Sequence, residues 1–240
     1  MAVPTSRIRR GNSLSLVWLA AGVLYLRALV GILLEYRWYF PADFENSAFL
    51  TGRQGHFAGA YAAAFYAHIL VGPLVSVLAL LLLTTGGQAR YVRLHRLAGR
   101  SLALLVLAVL VPSGWIMALR SFGGPLAAAG FRGLAIATAV YTLLTHVFAR
   151  RREYRRHLHY ALGAFVLLAS PLVLRFVAGL AAVTGYESEL TYQLNAWFSW
   201  LAPLLAFEGW WWLRSLPVNQ QIPFPANRFS ETKDRLFTWI

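Results

Sequence analysis

Apolar residues in this chain neither alternate nor mark one side of a helix; they run almost unbroken through six long stretches. These cover about residues 13–35, 57–84, 97–119, 126–149, 159–183 and 190–213. Each supplies the roughly 20 mostly apolar residues that a helix needs to cross a bilayer. Transmembrane β-strands would show short segments of alternating polarity instead, and nothing here alternates. The pattern therefore predicts an all-α polytopic membrane protein, a six-helix transmembrane bundle over residues 1–214. The first stretch follows a basic stub, Arg7-Ile8-Arg9-Arg10. It carries no cleavage pattern of a secretory signal, so it is expected to stay as a helix. After Arg214 the sequence changes to Leu-Pro-Val-Asn-Gln-Gln-Ile-Pro-Phe-Pro. Prolines at that density forbid a helix, so residues 215–240 are expected to form an extended tail ending on apolar Phe237-Thr238-Trp239-Ile240.

Charge orients this arrangement. The 22 basic residues outnumber the 9 acidic ones, for a net charge of +13. One set of connections holds Arg7, Arg9, Arg10, Arg90, Arg93, Arg96, Arg100, Arg150, Arg151, Arg152, Arg155 and Arg156, and the tail adds Arg214, Arg228, Lys233 and Arg235. The opposite set holds only Arg37, Arg53, Arg120 and Arg132. The positive-inside rule places both termini in the cytoplasm of an inner-membrane protein. Trp38-Tyr39 at one level and Trp210-Trp211-Trp212 at the other suit the two interfacial belts. In a soluble protein so basic a chain would suggest nucleic-acid binding. Here the arginines sit in short connections, so anionic lipid headgroups are the expected partners and nucleic acid is not. Only 13% of residues are charged, about half of what a soluble domain carries. That excludes an ordinary soluble enzyme, and the absence of cysteine excludes thiolate-ligated haem, iron–sulfur clusters and disulfides.

Ionisable side chains inside a membrane are costly and point to function. Arg27, His68, Arg175 and Glu208 fall within spans, and His95, His146, His157 and His159 fall near span ends. At about 1.5 Å per residue, Arg27 lies roughly 21 Å from the basic side and His68 and Arg175 roughly 24 Å. Three helices thus bring two guanidiniums and an imidazole to one outer layer. Such a layer suits a haem propionate, a quinone carbonyl or a lipid phosphate, unless Arg27 snorkels outward or pairs with Glu35. A second layer near the basic side gathers His95, His146, His157, His159 and Glu208, a set able to hold a metal ion or haem iron. His157 and His159 are about 200° apart around a helix, so only one is expected to face the bundle. His157 shares its face with Arg175 and is favoured. For His146 and His159 the expected role is contact with headgroups and water. His68 and His95 differ too much in depth to be the two axial ligands of one haem. No Walker loop, His-Glu-x-x-His or Gly-x-Ser-x-Gly is present.

His68-x3-Gly72-Pro73, His95-Arg96-x2-Gly99-Arg100, His157 after an Arg-rich loop, and Arg175 together resemble the bacterial multi-pass membrane proteins of domain-of-unknown-function family 2306. The resemblance covers roughly residues 60–180. It departs at Leu158-His159-Tyr160, where the family usually continues its last histidine with Arg and then Trp-Met. It implies a helical-bundle membrane protein whose characteristic polar set is His68, His95, His157 and Arg175, and it implies no established activity. A more distant, fold-level likeness is to di-haem cytochrome b proteins.

Three functions are open at this point. The first is a redox protein that binds b-type haem or another metal through its histidines and passes electrons between quinone or a periplasmic partner and a cytoplasmic one. The second is an accessory subunit of a larger membrane complex, packed through small residues such as Ala58-Gly59-Ala60 and Ala62-Ala63-Ala64 and docked by its tail. The third is a transporter or enzyme for an anionic lipid or carboxylate, using Arg27, His68 and Arg175.

Overall fold

The computed structural model describes residues 11–47 and 49–215. The basic stub and the tail from residue 216 onward lie outside the described residues. The chain divides into two units, Met1–Phe57 and Ala58–Ile240. In the first, helix α1 (Gly11–Leu34) runs into a short 3-10 turn at Glu35–Trp38. The following loop closes on Asp43, whose carboxylate accepts from the Glu45 and Asn46 backbone amides and from the Asn46 side chain, each at 2.9 Å. Asn46 is the main reason this carboxyl sits below its ordinary titration range. Arg27 is an exposed residue of α1.

The second unit holds α2 (Gly59–Thr85), α3 (Val92–Leu105), α4 (Val111–Ala118), α5 (Gly124–Arg150), α6 (Tyr154–Leu168), α7 (Ser170–Thr184) and α8 (Glu189–Ser215). No β-strand occurs among the described residues. Four helical segments are long and apolar enough to cross a membrane: Gly59–Thr85, Ala89–Ala118, Gly124–Arg150 and Tyr154–Thr184. α1 and α8 have comparable lengths, 24 and 27 residues. The helices lie close to the apolar stretches of the sequence, with one general difference. α3 and α6 each begin about five residues earlier than hydropathy places them, because their first turns carry the arginines. Large apolar side chains such as Leu70, Leu74 and Val77 on α2 and Ile136, Val140 and Leu143 on α5 face outward, as a lipid-facing surface requires.

Two of the four segments are irregular, for the same reason. α3 joins α4 through one π turn, Val106–Leu110. Pro112 has no N–H to return to the carbonyl four residues back, and its ring crowds that carbonyl, so the helix takes in an extra residue. The last segment breaks at Ala169, between α6 and α7, where Pro171 occupies the first turn of α7. The Gly72-Pro73 pair does not interrupt α2, which runs continuously through Pro73.

α5 is the central post, and glycine lets its neighbours approach. A methyl group at Gly130 would lie 2.9 Å from the Ala196 carbonyl oxygen of α8, and one at Gly133 would lie 3.0 Å from the Trp200 ring. On α6, a methyl at Gly163 would lie 2.3 and 2.5 Å from the Tyr141 ring. Small residues at such contacts are how helices pack in a solvent as apolar as themselves. Leu167, Trp200 and Leu204 fill the space beside them. A second cluster, Val75, Ala79, Leu102 and Val106, joins α2 to α3.

Gly163→Ala is therefore expected to lower stability by about 1–3 kcal/mol through overpacking. Gly179→Ala, where no atom lies within 4 Å of the new carbon, should change it by less than about 0.5 kcal/mol. Thermal unfolding of both variants in the same detergent measures the difference.

Candidate functional site

The family of polar side chains inside the second unit resolves into three groups. The first lies at mid-helix. The Nδ1 atom of His68 on α2 is 3.0 Å from the Ser113 hydroxyl on α4. That hydroxyl donates its single hydrogen to the Leu110 carbonyl, at 3.1 Å. In the neutral ring, therefore, His68 donates through Nδ1–H and keeps an unprotonated Nε2. The ring lies against Gly114, where a methyl would come 3.3 Å from its Cε1 atom. The π turn and Pro112 set this contact by rotating Ser113 and Gly114 toward α2. Arg175 on α7 acts electrostatically on the same ring, and its guanidinium also donates to the Pro171 carbonyl at 3.3 Å.

The second group lies at the arginine-rich end. His95, in the first turns of α3, places Nδ1 3.1 Å from the Thr85 hydroxyl, which donates to the Leu81 carbonyl at 2.7 Å. His157, in the first turn of α6, places Nδ1 3.0 Å from the backbone carbonyl of Thr145. A carbonyl only accepts, so His157 must donate. Both rings are thus held as Nδ1–H donors, each with Nε2 left for another partner. Their centroids are 6.5 Å apart and their planes are inclined at 76°.

The third group centres on Glu208 of α8. Its carboxylate accepts from the Tyr141 hydroxyl of α5 at 2.5 Å and meets Nε2 of His159 at 2.9 and 3.0 Å. The His159 ring is stacked between Tyr160 and Trp211, each 4.8 Å away.

This arrangement corrects two expectations. His157 and His159 both face protein, because α6 is covered on one side by the end of α5 and on the other by α8. A 200° separation exposes one residue only when a single face is packed. His159 is accordingly a member of a hydrogen-bonded network and not a headgroup contact. The expected second layer is divided into His95 with His157 and His159 with Glu208, and His146 joins neither pair. Among the described residues no group of three or more His, Cys, Asp and Glu is placed to hold a metal ion. Arg27 lies in the other unit and is described by itself. Sequence reading missed Ser113, Thr85 and Tyr141. Ser113 had a visible signal, since Pro112-Ser113-Gly114 marks a break at the depth of His68. Thr85 and Tyr141 are ordinary helix residues and gave none.

A family model described as a predicted membrane protein, DUF2306, matches residues 65–212. The chain belongs to the DUF2306 family. The match takes in His68, His95, His157, Arg175 and also Glu208, and so extends through α8 beyond the stretch over which the sequence motifs were recognised. It leaves out α1 and the tail. No curated protein and no solved structure matches the chain.

The hydrogen bonds fix one tautomer for His68, His95 and His157. Nitrogen-15 NMR of histidine-labelled protein at neutral pH is expected to show His68, His95 and His157 protonated at Nδ1, with unprotonated Nε2. Ser113→Ala should release His68 from that tautomer and leave the other two unchanged.

Proposed function

We propose that this DUF2306 protein is a membrane redox protein that holds b-type haem between His95 and His157. The observation that carries the reading is the pair itself: two imidazoles with Nδ1–H committed to Thr85 and Thr145 and with Nε2 left over, 6.5 Å apart. A metal-ligating histidine characteristically donates its other N–H in this way, which fixes ring orientation and raises basicity. Two imidazoles bound to one metal through bonds of about 2 Å have ring centres about 5 to 6.5 Å apart. The donor set favours haem over a bare ion. With only two histidines and no third acidic or imidazole group beside them among the described residues, an ion would lack ligands. Haem would bring four nitrogens of its own, so His95 and His157 would suffice to hold its iron. Arg93, Arg96 and Arg100 lie on the same helix as His95, and guanidiniums there would suit its propionates. The group would supply one-electron transfer, and the protein's own residues orient its ligands and neutralise its carboxylates.

In this reading all six long helices cross a bacterial inner membrane and both termini are cytoplasmic, as the distribution of arginine supports. The haem then lies near the cytoplasmic face. The His68–Ser113 pair, with Arg175 nearby, lies in the outer half. An unprotonated Nε2 there accepts a hydrogen bond from a quinol hydroxyl, so quinone is the electron partner on that side and a soluble carrier the partner on the other.

An absorption spectrum of the purified protein tests this. A Soret band with stoichiometric iron is expected, lost in His95→Ala and His157→Ala and retained in His68→Ala. Thr85→Val, which removes the hydroxyl that orients His95, should weaken haem binding about 10- to 100-fold in a titration of the apoprotein. A protein purified from native membranes with neither a Soret band nor bound metal would end the reading.

A further inference from the structure

Helices α5, α7 and α8 carry buried polar side chains that the redox reading does not use. Asn195 of α8 donates from Nδ2 to the Leu174 carbonyl of α7 at 2.9 Å, and its Oδ1 atom is buried with no partner. One turn further toward the arginine-rich end lie Ser199 on α8 and Ser170 on α7, each 1% exposed. The Ser170 hydroxyl has no partner either. Pro203 offers no N–H to the Ser199 carbonyl, four residues back, and Pro171 offers none to that of Leu167. On α5, Thr138 and Thr142 are both buried, and the Thr142 hydroxyl is again unpaired. By contrast, the helical threonines Thr85, Thr145 and Thr184 each donate to the carbonyl four residues earlier. Thr142 is next to Tyr141, and Tyr141 leads to Glu208 and His159.

The heights of these residues follow from the helix contacts. Gly130 meets Ala196, Gly133 meets Trp200, and Tyr141 meets Glu208, so α5 and α8 run parallel with a nearly constant offset. Gly163 meets Tyr141 and Leu174 meets Asn195, which places the antiparallel α6–α7 segment on the same scale. From Asn195 to Glu208 is thirteen residues, about 20 Å along the helix, out of a hydrocarbon layer of about 30 Å. Unpaired buried polar atoms in an apolar solvent need partners, and water is the usual one.

We propose that this seam is a hydrated proton path and that Glu208 with His159 is its entrance at the arginine-rich end. With Nε2–H of His159 and the Tyr141 hydroxyl both donating to the Glu208 carboxylate, Nδ1 of His159 is the atom that takes a proton from bulk water. The resulting imidazolium passes its Nε2 proton to Glu208, which becomes neutral and returns His159 to a neutral ring. Glu208 then delivers that proton to water held by Thr142 at its own level and by Thr138 one turn deeper, and onward past Ser199 and Ser170 to Asn195. One proton enters and one leaves; His159, left with its proton on Nδ1, regains its starting tautomer by releasing that proton to water and taking one from water at Nε2. The entrance is reachable, since the His159 and Glu208 side chains are 19% and 34% exposed. Arg155, which donates to Ser215, and Arg214, which stacks on Trp210, are charged groups of α6 and α8 toward this end. Tyr160 and Trp211 flank the histidine from α6 and α8 and carry no charge.

The full-length protein in liposomes loaded with a pH-sensitive dye, under a potassium diffusion potential, tests the path. Proton entry well above that of protein-free liposomes is expected for the native chain. Glu208→Gln should bring it to the protein-free level, and Thr142→Val should reduce it while leaving the helical circular dichroism unchanged. Native protein that admits no more protons than empty liposomes overturns the proposal, whatever the variants do. So does Glu208→Gln conducting like the native chain. The seam does not depend on haem, so proton entry without a Soret band would defeat the redox reading alone.

Discussion

The close approach of α5 to α6 and α8 is the contact on which the rest of the interior depends. Gly163 admits the Tyr141 ring at a distance that no side-chain carbon would tolerate, and Gly130 and Gly133 do the same for Ala196 and Trp200. With those helices drawn together, the Tyr141 hydroxyl reaches Glu208 and the Thr145 carbonyl reaches His157. Lipid gives apolar side chains little reason to prefer a neighbouring helix. Dispersion contact at glycine and hydrogen bonds across helices supply the preference instead. Packing and chemistry therefore share the same few residues.

A common rule governs the three motif histidines. Each uses Nδ1 to anchor itself, His68 and His95 to a hydroxyl that a backbone carbonyl holds and His157 to a backbone carbonyl directly. Such clamping removes the ring's rotational freedom and leaves one nitrogen of known direction. For an apolar interior this is also the inexpensive way to bury an imidazole, since an unpaired N–H there is costly. Glu208 is handled differently. It gathers donors from two helices at once, as a carboxylate with room for several hydrogen bonds does.

Much of the fold was legible because the bilayer writes its requirement into length and apolarity. The helical segments fall where the uninterrupted apolar runs lie, and the arginine-bearing ends fall where the charges do. Of the candidate residues, His68, His95 and His157 could be singled out because a polar group in such a run is conspicuous. What each touches could not be read. Ser113 reaches His68 only because the helix takes an extra residue at Val106–Leu110, and a uniform period of 3.6 cannot anticipate that. Both faces of α6 being packed was equally hidden, since a hydropathy scale scores Leu158 and Tyr160 without regard to what stands opposite them. The pairing of Glu208 with His159, 49 residues apart, is a tertiary fact with no local trace.

The π turn has one more implication. Each residue of an α-helix advances the bearing of its side chain by about 100°, so one surplus residue leaves α3 and α4 sharing an axis but not an azimuth. His95 and Ser113 thus answer to two independent angular frames, and the wide turn between them acts as a vernier. Any relative of this chain that gains or drops a residue there would keep the bearing of His95 and turn Ser113 away from His68.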